Sequence, residues 1–370
     1  MTDEQIFCAC GETYAADLAA CPKCGAQNSH TTHSSGRGVK VAAFVGIATA
    51  IIAIVFLVPE IIPLKQPSPL QMAITILQPQ EVGPATVPQE ELVQHALAAI
   101  NGDRAAFGLR SVQLSDNQAA QVAAEDVFAN KQISHWLSNG EKPYMTYSRL
   151  DGPGSVHQNV AISGFSQEEY DRCQSSFLRC EKIDPLAAIE ELEYEMMYND
   201  LECCNDGHRE NILDPNHTHV SIGIMYDDYY LVIVQNFEND YGLTVEADNT
   251  DVSISGPMPR DAQLENVVIY YDPLPTPEAY EENKKMLAYG AGELAASVFE
   301  PLPPGFHYQQ AGDHVVIEAS SWESGGDVDV KFDMSPAIKE PGVYTLYAMF
   351  ERDGEQFPAT SHSIFVGSVS

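Results

Sequence analysis

Three rhythms of apolar residues follow one another along this chain. The first is unbroken: Val41 to Val58 reads VAAFVGIATAIIAIVFLV, eighteen residues without a charge. As a helix it would rise about 27 Å, close to the hydrocarbon thickness of a bilayer, and the predicted transmembrane span is 41–63. A buried core helix or a cleaved signal peptide are the alternatives. A core helix of this length would show a polar face, and a signal peptide would not have 40 residues before it and Pro59-Glu60 after it.

The second rhythm is helical. Leu92, Val93, Ala96, Leu97 and Ile100 fall on one face after Pro88-Gln-Glu-Glu. Ser115 and Gln118 form a capping-box pattern ahead of Ala120, Ala123, Ala124, Val127 and Phe128. Asp184-Pro185 reads as an N-cap with proline at the first helical position, leading to Leu186, Ile189, Leu192 and Met196. The third rhythm is β. Val220–Tyr226 and Tyr229–Phe237 read as a hairpin turning at Asp227-Asp228. Helices followed by a hairpin predict an α+β domain, helices packed on an antiparallel sheet.

Strand patterns then continue to the end, at Val267–Tyr271, Val315–Ala319, Val328–Met334, Val343–Phe350 and Ser361–Val366. Val328, Val330 and Phe332 alternate with Asp329, Lys331 and Asp333, and Asp353-Gly354 is a hairpin turn. The expectation for 241–370 is an immunoglobulin-like β-sandwich without catalytic groups, a spacer or adhesion module, with a helix within Pro277–Ala296.

Charge sharpens this division. The 370 residues carry 19 Lys+Arg against 53 Asp+Glu, a net charge of −34, which excludes a nucleic-acid backbone as partner. Residues 1–40 hold four acids and three bases, whereas residues 64–370 hold 48 acids and 16 bases. Arg37 and Lys40 precede the apolar span and Lys65 follows it, which predicts a cytoplasmic N-terminus and an extracellular remainder. So acidic an outer surface suggests a saline habitat and an archaeal cell-surface protein.

The cysteines divide in the same way. Cys8, Cys10, Cys21 and Cys24 form two close pairs within residues 1–27. Two such pairs on glycine turns can converge tetrahedrally on Zn²⁺, so the segment resembles a zinc ribbon folded by its metal. Two disulfides are the alternative, and would need an oxidising compartment. His30 and His33 lie in a Ser/Thr/His/Gly tether, 28–40, and 64–87 is a second, proline-containing linker. Cys173, Cys180, Cys203 and Cys204 would be oxidised outside. Because adjacent half-cystines close a small ring, the expected pattern joins each of Cys203 and Cys204 to Cys173 or Cys180.

Four motifs carry a resemblance. They are Ile-Ser-His ending at His135, His157-Gln158-Asn159-Val160-Ala161, Gly207-His208-Arg209-Glu210-Asn211-Ile212-Leu213, and Val234-Gln235-Asn236-Phe237. In this order they resemble the CAP superfamily, also called SCP (cysteine-rich secretory, antigen 5, pathogenesis-related 1), over a domain drawn at 88–240. The resemblance implies an α-β-α sandwich whose cleft holds two histidines and two acids and binds a divalent metal in some members. By position the histidines are His135 and His208, and Asn159 and Arg209 are motif residues on the binding side. Gln158 stands where the family's Gly-Glu-Asn has its acid. Asp200 best matches the second acid, with Glu195 as alternative.

Two imidazoles and one carboxylate can still hold Zn²⁺ with a water, but a glutamine cannot serve as general base. The sequence therefore predicts a membrane-anchored binding module for a small ligand, peptide, surface protein or metal. A metal-dependent peptidase or a purely structural module are the alternatives. Bland readings stand beside these: His135 as a satisfied buried histidine, His208-Arg209 as a loop tie, His217 and His219 as surface residues. Tyr226, Tyr229 and Tyr230 would fill a sheet face or line a groove.

Overall fold

A computed structural model describes residues 5–7, 13–15, 87–175, 180–308 and 314–367. Contacts divide the chain into two compact units, Met1–Pro79 and Gln80–Ser370. In the first, β1 (Gln5–Phe7) and β2 (Thr13–Ala15) pair antiparallel with Ile6 opposite Tyr14. The ribbon cysteines Cys8, Cys10, Cys21 and Cys24, the tether 28–40 and the apolar span Val41–Val58 lie outside the described residues. Among the described residues no helix is long and apolar enough to cross a membrane.

The second unit opens with α1 (Gln89–Ala106), β3 (Gln113–Leu114), α2 (Ala119–Asn130), α3 (Pro143–Arg149), β4 (Ser155–Gly164) and α4 (Gln167–Gln174). There follow α5 (Pro185–Tyr198), α6 (Leu201–Cys204), α7 (Gly207–Ile212), β5 (His219–Tyr226) and β6 (Tyr230–Asn239). The sheet order is β3-β5-β6-β4, parallel at β3–β5 and antiparallel elsewhere. Strand alternation divides β6 between two cores. Leu231, Ile233 and Phe237 pack with Leu92 and Ile100 of α1 and Ile189 and Met197 of α5. Tyr230, Val232 and Val234 pack with Ala120, Ala124 and Val127 of α2. Each buried Leu, Ile, Val, Met or Phe among them contributes about 1.5–3 kcal/mol. The result is an α-β-α sandwich. Its tightest contact is at Gly223, where a Cβ would lie 2.1 Å from the Ala120 carbonyl oxygen.

The ends of the helices follow the sequence unevenly. Asp184 caps α5 as expected, its carboxylate accepting from Leu186 N–H and Ala187 N–H, with Pro185 in the first turn. The Ser115–Gln118 capping box does not form. Ser115 Oγ accepts from Asn117 N–H and Asn117 Oδ1 from Ala119 N–H, because the chain must first leave β3 in a turn.

After β6 come β7 (Thr244–Asp248), β8 (Asp251–Pro257), β9 (Gln263–Asp272), α8 (Pro277–Asn283), β10 (Glu293–Phe299) and β11 (Val315–Glu318). The chain continues through β12 (Ser321–Glu323), β13 (Asp327–Asp333), β14 (Gly342–Arg352) and β15 (Glu355–Val366). Sheets of order β11-β10-β9-β14-β15 and β12-β13-β8-β7 share one core, in which Val252, Val330 and Phe332 of one meet Ile269, Val298 and Leu346 of the other. The strand pattern thus extends to β7, β8, β10 and β12, which the sequence reading passed over. β7 is too polar to show a buried face, and β10 pairs parallel with β11 rather than in a hairpin. The Asp353-Gly354 turn has both residues at positive φ, 55° and 86°, as a type I′ hairpin requires.

The sandwich is bound to the α-β-α half through β15 and α3. Val343 and Phe365 join a cluster with Tyr144, Met145, Tyr147 and Val156. Ser363 N–H donates to Ser148 Oγ (3.0 Å), and Ser155 Oγ and Asn239 Nδ2 both donate to the Pro358 carbonyl (2.9 and 2.8 Å).

Candidate functional site

β4 is an edge strand, so its alternate residues look onto two faces of the sheet beside one opening. Even positions meet α2's side, where α2 ends at Lys131 in a left-handed conformation (φ 50°) and turns the chain toward His135. His135 Nδ1 lies 3.1 Å from Gln158 Oε1, and Gln158 Nε2 donates to Asn236 Oδ1 at 3.1 Å. Burial is the main force holding the His135 imidazole below its ordinary pKa, opposed by the Gln158 bond and aided by His208. This side is built of neutral groups.

Odd positions meet α5, α6 and α7. Asn205 and Asp206, both at positive φ (53° and 61°), turn α6 back into α7 and set His208 against Asp200. Asp200 is 2% exposed: one oxygen accepts at 2.6 Å from His208 Nδ1, the other from the backbone N–H of His208 (2.8 Å) and Arg209 (3.2 Å). With Nδ1 tied to Asp200, Nε2 is the nitrogen left for the cleft.

Behind them lies a network in which Glu193 accepts from Gln235, Asn159 donates to Gln235 and to the His208 carbonyl, and Asn211 donates to Asn159. His217 ends it, its nitrogens 2.7 Å from Asn239 Oδ1 and 2.9 Å from Asn211 Oδ1. Burial pushes Glu193 up to about 8, so it is protonated at neutral pH, against the pull of the Gln235 bond. Burial likewise lowers His157, whose Nδ1 is buried without a partner.

His135, Gln158 and His208 line a cavity of about 360 Å³ together with His157, Asn159, Glu210, Asn211 and Asp214. A second cavity of about 260 Å³ adjoins it, lined by Ile133, Val160 and Met286 and sharing His135, Cys204, His208 and Leu287. The third wall comes from the sandwich half. Leu287, Ala288 and Tyr289, between α8 and β10, cross the opening. The Tyr289 ring stands 5.0 Å from His135, and its hydroxyl accepts from the Gln158 N–H at 3.1 Å. Lys142 and Tyr144 fasten this strap through Asp272 (2.7 and 2.6 Å) and the Gly290 carbonyl. The sandwich therefore contributes to the site, where the sequence had suggested only a spacer.

Of the residues expected in the cleft, His135, Gln158, Asn159, Asp200 and His208 are brought together. Arg209 is not: its guanidinium donates to the Met197 carbonyl (2.7 Å) and stacks on Phe107, pinning the end of α5. Glu195 is exposed and holds Asn199. His217 is a correction, since its side chain is fully buried rather than on the surface. Arg104, itself 0% exposed, draws that loop inward by donating to the carbonyls of Ile212, Asp214 and His217.

The disulfides are a second correction. Cys173 bonds Cys180, and Cys203 bonds its neighbour Cys204. Tyr170 holds α4 to Asp227 and Tyr230 at the β5–β6 turn, while α6 carries Cys203 and Cys204 to His208.

Helices cover both faces of this sheet, and two histidines stand at its edge, as in the sandwich the sequence motifs implied. Residues 97–237 match the family model of the Cysteine-rich secretory protein family, CAP, and the chain carries a CAP domain there. Among solved structures, the chain is similar to an extracellular protein containing a SCP domain from Bacillus anthracis, at 21% identity and TM-score 0.28, covering 40% of each chain. It is also similar to an outer surface protein from Borrelia burgdorferi, at 13% identity and TM-score 0.28, covering 41% of this chain and 95% of that one. The chain thus spans less than half the length of the first. No curated protein matches the sequence.

Proposed function

We propose that this CAP domain is a non-catalytic binding module, held outside a membrane by the span 41–63, with its N-terminal segment on the cytoplasmic side. The observation that carries the reading is the state of the acids beside the two histidines. Both oxygens of Asp200 are taken by His208 and by backbone N–H groups, and Gln158 offers a carboxamide already engaged at both ends. Among the described residues, neither acid position beside the two imidazoles offers a free carboxylate to take a proton from water, the group best suited to that step. The paired cavities suit a small ligand with a hydrogen-bonding end at His208 and Asn159 and an apolar segment along Ile133, Val160 and Met286.

A divalent metal at His135 and His208 and a metal-dependent hydrolase form the second reading, favoured by Glu210 and Asp214 on the cavity wall. Native mass spectrometry of the full chain against a panel of short peptides and amphipathic small molecules tests the first. Binding without turnover, weakened by His208→Ala, is expected; peptide cleavage abolished by His208→Ala would replace it with the second. Protease treatment of intact cells should remove the CAP domain and spare the N-terminus, and loss of the N-terminus would reverse the orientation.

A further inference from the structure

Cys203 and Cys204 stand beside Asp200 and His208 and add two sulfurs that the binding reading does not use. One ligand atom from each lies within 4.8 Å of the others. Cys203 Sγ is 3.5 Å from Asp200 Oδ1, which is itself 2.6 Å from His208 Nδ1. Donors around a tetrahedral Zn²⁺ stand about 3.3–3.8 Å apart, so side-chain rotations suffice to gather these four. The backbone is already fixed by the left-handed Asn205-Asp206 turn and by the two N–H bonds on Asp200. Two sulfurs, one imidazole and one carboxylate make a soft, anionic set that favours a thiophilic cation over Mg²⁺ or Ca²⁺.

In the structure the two sulfurs are bonded to each other. Cys203 is exposed and Cys204 half-exposed, so a small dithiol can reach the bond, and accessible disulfides are the labile ones. The geometry points to a redox-gated metal site: reduction of Cys203–Cys204 by a dithiol frees two thiolates that join His208 Nδ1 and Asp200 around one Zn²⁺-like cation. The exchange balances. One dithiol thiolate attacks a protein sulfur, its second thiol displaces the mixed disulfide, and two electrons pass to the protein. Two protein thiols and one oxidised dithiol result. On binding, each thiol gives its proton to solvent. The site uses the Nδ1 edge of His208 and not His135, and it shares His208 and Cys204 with the cleft wall.

The test uses the full chain in detergent, reduced with dithiothreitol, desalted without oxygen and loaded with Zn²⁺. Elemental analysis should find one more zinc per chain in reduced wild type than in reduced Cys203→Ser/Cys204→Ser, a difference that cancels zinc held elsewhere. Unreduced wild type should lack it, and Cys173→Ser/Cys180→Ser should keep it. Without any substitution, zinc should slow alkylation of Cys203 and Cys204 in the reduced protein roughly tenfold or more, read peptide by peptide, and leave Cys173 and Cys180 unprotected. Equal zinc in reduced wild type and the double variant, or no protection at Cys203 and Cys204, overturns the proposal. The extra zinc already present before reduction overturns the gating.

Discussion

On one face of β4 a histidine is held by two carboxamides in series, His135 to Gln158 to Asn236; on the other, His208 is held by a buried carboxylate, Asp200. The amide side fixes a ring by dipoles alone, and burial keeps that ring neutral. The acid side gathers carboxylates, Asp200 and Asp214, around His208 and His217. The contrast teaches that a glutamine at 158 leaves the two histidines in unlike surroundings, one beside carboxamides and the other beside a buried carboxylate.

The largest effect lies at Glu193, whose Oε1 is buried without a partner. Its raised pKa, about 8, means the stability it contributes is full below the unfolded value near 4.5 and is lost as pH rises toward 8. Glu193→Gln should match wild type in acid and exceed it at pH 8 by about 4 kcal/mol, in melts taken across that range. A constant offset at every pH would deny that Glu193 is protonated.

The next test compares the two supports. Asp200→Ala strands two backbone N–H groups and unties His208, and should lower unfolding free energy by about 3 kcal/mol. Gln158→Ala should cost about 1 kcal/mol. Equal losses in urea titrations would erase the distinction.

Gln158→Glu restores an acid to the neutral wall and should raise zinc affinity at the histidine cleft roughly tenfold, measured by calorimetry on unreduced protein. No gain would show that more than residue 158 separates this cleft from a metal site.

The smallest effect lies on the acid limb. His135, His157 and His217 all have lowered pKa values, through burial first, so their contribution is present above about 6.5 and is lost as pH falls below it. His135→Asn should flatten the pH 7 to 5 decline of the melting temperature by a share worth about 1 kcal/mol. An unchanged slope would mean His135 is already free to protonate.

The sequence exposed the parts of this site whose partners are near in the chain or repeat in a motif. Gly207–Leu213 announced His208 because it is a contiguous motif that resembles a family pattern, and Asp184-Pro185 announced α5 because an N-cap is a three-residue affair. Other parts depend on distant groups. His217 is buried by Arg104, over a hundred residues earlier, and nothing in Asn216-His217-Thr218 says so. The strap at Leu287–Tyr289 looked like the tail of a helix, since its role depends on Asp272 meeting Lys142 and Tyr144. The cysteine pairing depends on α4 and α6 being tied to different neighbours, which no local pattern of the cysteines carries.

Asn239 stands at the seam between the halves. Its amide nitrogen grips the Pro358 carbonyl of β15 while its amide oxygen holds His217. A pull on the sandwich would thus be delivered, through two hydrogen bonds and one carboxamide, to the histidine network behind the cleft. The carboxamide of Asn239 is a mechanical link between the sandwich and the cleft's histidines.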